Sequence, residues 1–474
     1  MKIHLEKLGR LDRADLEVGN LTIVCGENNS GKTYATYALY GFLKMWAQGG
    51  MQPHPMAQKL ALSLPQTGVA KVDLRNELLP TAENYFAALS DDYTRQLPTV
   101  FASKDDYFSG TVFQFRPDER MPNLEPEFKD SVKIGAQTAL TFSKSAGSPI
   151  LEIARASELK KSIPSYAVAN FIDDVFRRLV WSQLVPKVYI ASAERTGAAI
   201  FNKSLNFTRD KLFDTIHRLE SEKARPLPED VIPRLFFEYR PDYALPVRDN
   251  VQFMDTLEKI SKQTGALAKA CPQIEAGFDQ LIGGSYKSGK EGLFYVPKGS
   301  RAKLTMAESS SAVRSLLDVG FLIKHVLAPG DLFIIDEPEL NLHPTNQRKL
   351  ARILARIANH GVRVFLTTHS DYIIREFNTL IVGRGHTAVI NQRLGRRGDY
   401  DEGEFLDAKY VRLYIACGVK ESSAGRGPKP IVNLIREEPV DPVTGLMVVS
   451  FDDEIDAMNE VQDLLIELNG EANE

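Results

Sequence analysis

Eight consecutive residues, Gly26-Glu27-Asn28-Asn29-Ser30-Gly31-Lys32-Thr33, follow the pattern G-x-x-x-x-G-K-[ST]. The chemistry open to such a stretch is the binding of phosphate. A strand that ends in a glycine-rich loop lets successive backbone N–H groups, here those through Asn28, Asn29 and Ser30, converge on one point. A helix beginning there adds the positive end of its dipole. Gly26 and Gly31 permit backbone angles and a close approach that a Cβ would forbid. Lys32 brings a mobile positive charge to β- and γ-phosphates, and Thr33 a hydroxyl ligand for Mg²⁺. A chance glycine-rich turn would lack the flanks seen here. The apolar run Leu21 to Cys25 precedes the motif, and Tyr34 to Gln48, compatible with a helix and closed by Gly49-Gly50, follows it.

Two further strand ends carry polar groups. Leu332-Phe333-Ile334-Ile335 is an apolar run that leads into Asp336-Glu337. Ligands gather at the C-terminal edge of such buried strands. Asp336 is placed there to hold the Mg²⁺ hydration shell, and Glu337 to polarise an attacking water as general base. Alone, the pair would read equally well as a helix cap. Val364-Phe365-Leu366 runs into Thr367-Thr368-His369-Ser370, which puts His369 at the same sheet edge, suited to hydrogen-bond a γ-phosphate or the lytic water.

The elements that must position these groups alternate along the second half of the chain. A helix is predicted for Ser309 to Val326, a strand for Leu332 to Ile335, a helix for Pro344 to Ala358, a strand for Val362 to Leu366 and a helix for Asp371 to Phe377. That order indicates a parallel α/β sheet. The opening reads as a β-meander (Met1 to Leu5, Ala14 to Val18, Leu21 to Cys25). Antiparallel strands are predicted at Val112 to Phe115, Val132 to Phe142 and Ile150 to Ile153. Phe201 to Ile282 reads as mostly helical, interrupted by a proline-rich stretch, and sustained coiled-coil heptads are absent.

The 474 residues suggest two or three domain-sized units, and 43% apolar with 25% charged residues is ordinary globular composition. A disordered chain and a wholly basic nucleic-acid coat are thereby excluded. No apolar run is long enough to span a bilayer, and the charged start is no secretory signal. Three cysteines lack metal-ligand spacing. The expectation is a soluble, cytoplasmic protein without membrane partners. Net charge is −4, and nine acids with no Lys or Arg lie between Asp452 and Glu474, so the rest of the chain stands at +5. A last helix with Ile455, Met458, Val461, Leu464, Leu465 and Leu468 on one face reads as docking on the chain's own core. The basic run Arg384, Arg393, Arg396 and Arg397 fits a solvated hairpin better than a phosphate-backbone contact.

Gly26 to Thr33, Asp336 to Pro344 and Thr367 to Ser370 together resemble ABC-type ATPases of the SMC, Rad50 and RecF branch. The run Asp336-Glu337-Pro338-Glu339-Leu340-Asn341-Leu342-His343-Pro344 with Thr367 to Ser370 is most similar to its smaller members, the ATPase part of OLD nucleases and related antiviral ATPases. The resemblance covers residues 1–50 and 281–380 through motifs and the middle only by layout. It implies an α/β head, a mixed sheet with an antiparallel β subdomain, plus an inserted helical lobe and a C-terminal extension. The implied boundaries are 1–200 for the first part of the head, 201–282 for the helical insertion, 283–380 for the second part and 381–474 for the extension with its acidic tail. The implied cofactors are ATP and Mg²⁺. Asn341 would lie in the loop that meets the other nucleotide site, and His369 would be the switch histidine. Glu308 to Ser315 occupies the place of the family's signature, which closes on the nucleotide of the opposite subunit, with Ser310 as the γ-phosphate donor. Ala312 stands where the family has glycine, and a helix N-cap explains Ser310 as well. Ala193-Glu194-Arg195 resembles a short motif after a core strand, in which the arginine either nears the phosphates or pairs structurally.

An OLD nuclease would continue into a TOPRIM domain. Glu402-Gly403 and Asp399-Tyr400-Asp401 have the spelling in the wrong order, within a polar stretch. Size, the altered signature and this absence together resemble the ATPase subunits of PARIS antiviral systems. That resemblance implies a homo-oligomer formed through ATPase heads, a separate TOPRIM-type nuclease held in check, and a phage-encoded trigger protein, for which a DNA mimic is a chemically sensible form. The competing reading is a RecF- or Rad50-like repair ATPase that binds DNA directly.

Overall fold

Leu21–Gly26 is buried at all six positions, and a strand apolar on both faces belongs in the middle of a sheet. The computed structural model, which describes residues 1–49, 51–134, 137–155, 163–200, 243–289, 292–395, 399–420, 431–448 and 457–466, places it there. In chain order the strands are Lys2–Leu8 (β1), Leu11–Glu17 (β2), Leu21–Gly26 (β3), Val69–Asp73 (β4), Val112–Arg116 (β5), Phe128–Ile134 (β6), Gln137–Lys144 (β7), Ile150–Arg155 (β8), Val188–Ala191 (β9), Gly284–Gly289 (β10), Gly292–Pro297 (β11), Leu332–Asp336 (β12), Arg363–Thr368 (β13), Val411–Lys420 (β14) and Ile431–Glu438 (β15). Nine of them form a mixed sheet in the order β5-β1-β2-β15-β14-β3-β13-β12-β9. From β14 to β9 neighbouring strands are parallel, whereas β5, β1 and β2 pair antiparallel. The α/β class and the mixed sheet are therefore both present. Strands β4, β8, β7 and β6 make a separate antiparallel sheet, and β10 pairs with β11 as a hairpin.

Alternate side chains of the central strands feed two cores. Leu332 and Ile334 point into one, Phe333 and Ile335 into the other. The first core is closed by helix Lys32–Ala47, which contributes Ala35, Leu39 and Leu43. The second is closed by Pro344–Asn359, with Leu350 and Leu354, and by Asp371–Val382, with Ile373 and Phe377. A strand covered on both faces is the normal state of a parallel sheet.

Four expectations are corrected. The opening is no meander: β1 and β2 form a hairpin with alternating burial, but β14 and β15 separate β2 from β3. The segment 381–474 is not merely an extension of the head. Its strand β14 lies directly beside β3, with Leu413 opposite Ile23, because the backbone N–H and C=O groups of a fully buried β3 need hydrogen-bond partners on both edges. The terminal helix, described over 457–466, does not dock on the core. Met458, Val461, Leu464 and Leu465 are all more than half exposed, and both faces of the sheet are already covered; Ile455 and Leu468 lie outside the described residues. Of the basic run, Arg393 lies in a helix, Thr387–Leu394, rather than a hairpin. Arg384, ahead of that helix, pairs with Asp407 at 2.5 Å, and Arg396 and Arg397 lie outside the described residues. Residues 201–242 of the expected helical insertion also lie outside them. Its remainder, Leu245–Ile260, Ala266–Ala270 and Pro272–Ile282, sends Leu257, Leu267, Ile274 and Phe278 into the second core. Among the described residues no helix is long and apolar enough to cross a membrane.

The place of β14 is testable by stability. Leu413 is fully buried, so Leu413→Ala is expected to cost about 2–4 kcal/mol in urea denaturation. A loss under about 0.5 kcal/mol, the level of a surface change, would mean that this strand is not part of the folded core.

Candidate functional site

The parallel registers assemble the site. Asp336 lies opposite Thr367 across β12 and β13, and Thr368 lies opposite Cys25 across β13 and β3, so three strands end at one edge. The loop leaving β3 turns sharply. Gly26 has φ 135° and Gly31 φ 97°, angles that favour glycine. A Cβ at Gly26 would run into the carbonyl oxygen of Ala416 on β14, and one at Gly31 would lie 2.9 Å from Leu11 Cβ. Close packing and backbone angle thus select glycine at both positions. Helix Lys32–Ala47 starts directly after Gly31. Its first N–H groups face the loop, the arrangement that holds anions.

A cleft of about 500 Å³ lies over this loop, lined by Asn28, Asn29, Ser30, Gly31, Lys32, Thr33, Glu337 and His369, together with Arg10 and Tyr34. The structure therefore brings together eight of the residues singled out from sequence. Lys32 Nζ donates to the carbonyls of Gly26 at 3.0 Å and Glu27 at 2.6 Å. Burial depresses its pKa, while the charges of Glu337 and Asp336 oppose that shift. Ser30 Oγ donates to Glu27 O at 2.7 Å, which stiffens the loop. The Thr33 hydroxyl sits on an exposed residue at the helix start.

Asp336 is almost fully buried at the end of β12. Its Oδ1 accepts a hydrogen bond from Thr367 Oγ1, whereas Oδ2 is buried without a partner. Burial pushes the carboxyl up to about 6, and the neighbouring charges of Glu337 and Glu194 add to this. An orphaned carboxylate oxygen beside a phosphate loop fits a cation or its hydration shell, so Asp336 and Thr33 would hold Mg²⁺ in this site. Glu337 follows with φ 51°, a left-handed conformation that a non-glycine residue keeps only when its surroundings impose it. Thr367 is one such restraint, because the Glu337 N–H donates to both its carbonyl and its Oγ1 at 3.2 Å. The Glu337 carboxylate reaches His369 Nε2 at 3.5 Å, and this contact, ahead of the nearby Lys32 charge, lowers its pKa. A base kept ionised with an imidazole beside it can polarise a water at a terminal phosphate, whose charge Mg²⁺ held by Asp336 and Thr33 would neutralise.

Ser310 and Asn341 lie outside the cleft. Ser310 caps helix Ser311–Ser315 by accepting from Val313 N–H, the simpler of the two readings of that serine. Asn341 has φ 61° and donates through Nδ2 to Thr196 Oγ1 at 3.4 Å. Arg195 is fully buried and donates to main-chain carbonyls, not into the cleft.

Sequence reasoning missed three contributors. Arg10 reaches the cleft from the β1–β2 turn, which packs on Gly31 through Leu11, and only the folded hairpin brings them together. Tyr34 is the residue after the motif, and its hydroxyl meets that of Tyr107 at 3.0 Å. Glu339 accepts from His369 N–H at 2.6 Å and from Thr368 Oγ1 at 2.9 Å, so it fixes the backbone of the histidine. Its place in a run of three carboxylates was the available signal.

The raised pKa of Asp336 gives a signed prediction. A group whose folded pKa lies above its unfolded value favours folding at low pH, and that contribution fades as pH rises through about 6. Asp336→Asn should therefore stabilise the metal-free protein at pH 8 by about 2–3 kcal/mol, the worth of a two-unit shift, and leave it unchanged near pH 4. Thermal or urea unfolding in EDTA at both pH values checks this. A variant less stable than wild type at pH 8 would contradict the buried-charge account.

The chain is similar to several known proteins. UvrABC system protein A of Clostridium acetobutylicum is 24% identical over 143 residues, 30% of this chain, which spans 14% of that protein's length. Among solved structures, an Smc head bound to the C-winged helix domain of ScpA aligns over 93% of this chain and 97% of its own, at 10% identity and TM-score 0.34. The SMC head domain from Thermotoga maritima aligns over 93% and 98%, at 10% identity and TM-score 0.31. The family model described as "AAA domain, putative AbiEii toxin, Type IV TA system" matches residues 21–375, from the first residue of β3 to beyond His369. The chain belongs to this AAA_21 family of P-loop ATPases.

Proposed function

We propose that the chain is a Mg²⁺-dependent ATPase that serves as sensor and scaffold of an antiviral defence complex, holding a separate TOPRIM-type nuclease and releasing it when a phage-encoded protein is sensed. The observation that carries the ATPase part is the meeting of Lys32, Glu337 and His369 on one cleft, with Asp336, whose Oδ2 is orphaned, preceding Glu337 in the chain. Lys32 is held by loop carbonyls and turns its ammonium to the phosphates when nucleotide binds. Asp336 and Thr33 supply oxygens for Mg²⁺, which when bound neutralises phosphate charge. Glu337 accepts a proton from the attacking water, and His369 orients the carboxylate and the water. Ser310 and Asn341 act across a subunit contact in this reading, consistent with their lying outside their own chain's cleft.

Support for the sensor role comes from the resemblance of the motifs to PARIS ATPase subunits and from the charge asymmetry. A body of +5 suits an acidic, DNA-like ligand, and a viral DNA mimic offers that surface without being nucleic acid. An ATPase whose subunit contacts change with nucleotide state can bury or free a bound enzyme by differential affinity.

The test is purification of the chain expressed together with its operon neighbour. A stoichiometric complex with a TOPRIM nuclease is expected, released by a phage protein only when ATP is present. Glu337→Gln, which keeps the shape but removes the base, should bind ATP and accumulate closed subunit pairs. A chain that purifies alone and binds duplex DNA with steep salt dependence would refute the sensor reading and favour the RecF-like one.

A further inference from the structure

Arg195 lies in the turn after β9, fully buried, yet its guanidinium neither reaches the cleft nor is spent on one partner. Nε donates to Ser315 O at 2.7 Å, Nη1 to Ser192 O at 3.0 Å and to Asp336 O at 2.7 Å, and Nη2 to Glu337 O at 2.7 Å. Four of its five N–H groups thus hold main-chain carbonyls from three separate segments. Two of those carbonyls belong to the acidic pair. A third ends helix Ser311–Ser315, the segment that Ser310 caps. The neighbours of Arg195 extend the pattern. Glu194 accepts from Tyr37 OH on the helix after the phosphate loop at 2.8 Å, and Thr196 Oγ1 accepts from Asn341. Ser315 adds a second link between the same regions, because its Oγ donates to Leu340 O at 3.2 Å.

The backbone of Glu337 explains what the arginine is for. Its left-handed φ is held from one side by Thr367, which accepts the N–H, and from the other by Arg195, which holds the C=O. Neither restraint alone fixes the peptide plane on both sides of the residue. A strained conformation persists where its surroundings over-determine it, and here it aims the carboxylate at His369 and the cleft.

We propose that Arg195 is a positioning residue for ATP hydrolysis: it holds Glu337 in its aimed conformation and ties that conformation to the end of helix Ser311–Ser315, so that displacement of this helix is felt at the general base. The link runs through main-chain carbonyls, so side-chain changes in the helix cannot break it, whereas replacement of the planar fork can. Lysine keeps the charge but cannot span the same set of carbonyls. The proposal rests on the ATPase reading above.

The experiment compares wild type, Arg195→Lys and Ser315→Ala for ATP affinity, kcat and thermal midpoint. Arg195→Lys should keep ATP affinity within about threefold while kcat falls at least about thirtyfold, the split expected when only transition-state positioning is lost. Ser315→Ala is the control: it changes a side chain of the helix but leaves the arginine's contacts, so ATP affinity and kcat should both stay within about twofold of wild type. Arg195→Ala should regain part of its kcat in millimolar guanidinium, which a general loss of fold would not allow, and this rescue decides the matter if Arg195→Lys fails to fold. If wild type turns over ATP and Arg195→Lys does so within twofold of it, or if Ser315→Ala loses as much kcat as Arg195→Lys, the proposal is overturned while the ATPase reading stands. If wild type binds no ATP, the ATPase reading falls and the proposal with it.

Discussion

A carboxylate taken out of water at the end of a parallel strand is the constraint around which this molecule is organised. Asp336 pays for its burial with a raised pKa, and one hydrogen bond from Thr367 satisfies only one of its oxygens. The other oxygen has no protein partner. A buried acceptor left in that condition is costly unless something positively charged shares the site. Lys32 and the phosphate loop are the local source of positive charge, and the burial of Lys32 depresses its own pKa in turn. Two destabilised ions of opposite sign at one sheet edge make a site whose stability is completed by ligand.

The sheet makes that arrangement possible. Because β3, β13 and β12 are parallel neighbours, their C-terminal ends fall at one edge, and the loop, the histidine and the acidic pair meet without any long excursion of the chain. The same edge explains the hydrogen bonds of Thr367 and Glu339. Each spans two adjacent strand ends, one to the acidic pair and one to His369. Helices on both faces exclude water from the strands, which keeps the electrostatics of the edge strong.

Much of this was legible in the sequence because it is local. The glycine loop and the apolar runs that end in acids or in Thr-Thr-His are each written in one short stretch of chain with the strand and helix that flank them, and the structure brings eight of the expected residues to one cleft. What was not legible is non-local. The strand beside β3 comes from residue 411 onward, nearly 400 positions later, and no short-range pattern reveals that pairing. Arg195 was left between two roles because a buried arginine that serves carbonyls has the same spelling as one that serves phosphates. Arg10 reaches the cleft from a hairpin turn whose docking depends on Leu11 meeting Gly31. The helix at 457–466 has the apolar periodicity of a docked element, but periodicity reports a face and not what covers it.

The measurement that tests the central claim most directly is equilibrium binding of ATP with Mg²⁺ to wild type and to Lys32→Ala. Lys32 donates to the carbonyls of Gly26 and Glu27 and to Ser30 Oγ, all within its own loop, so its removal should leave the fold intact while it deletes the charge that meets the phosphates. The account predicts binding by wild type and a loss of about a hundredfold or more in the variant, the scale of a charge-assisted contact removed from a partly buried site. Unchanged affinity in a folded Lys32→Ala protein would contradict it.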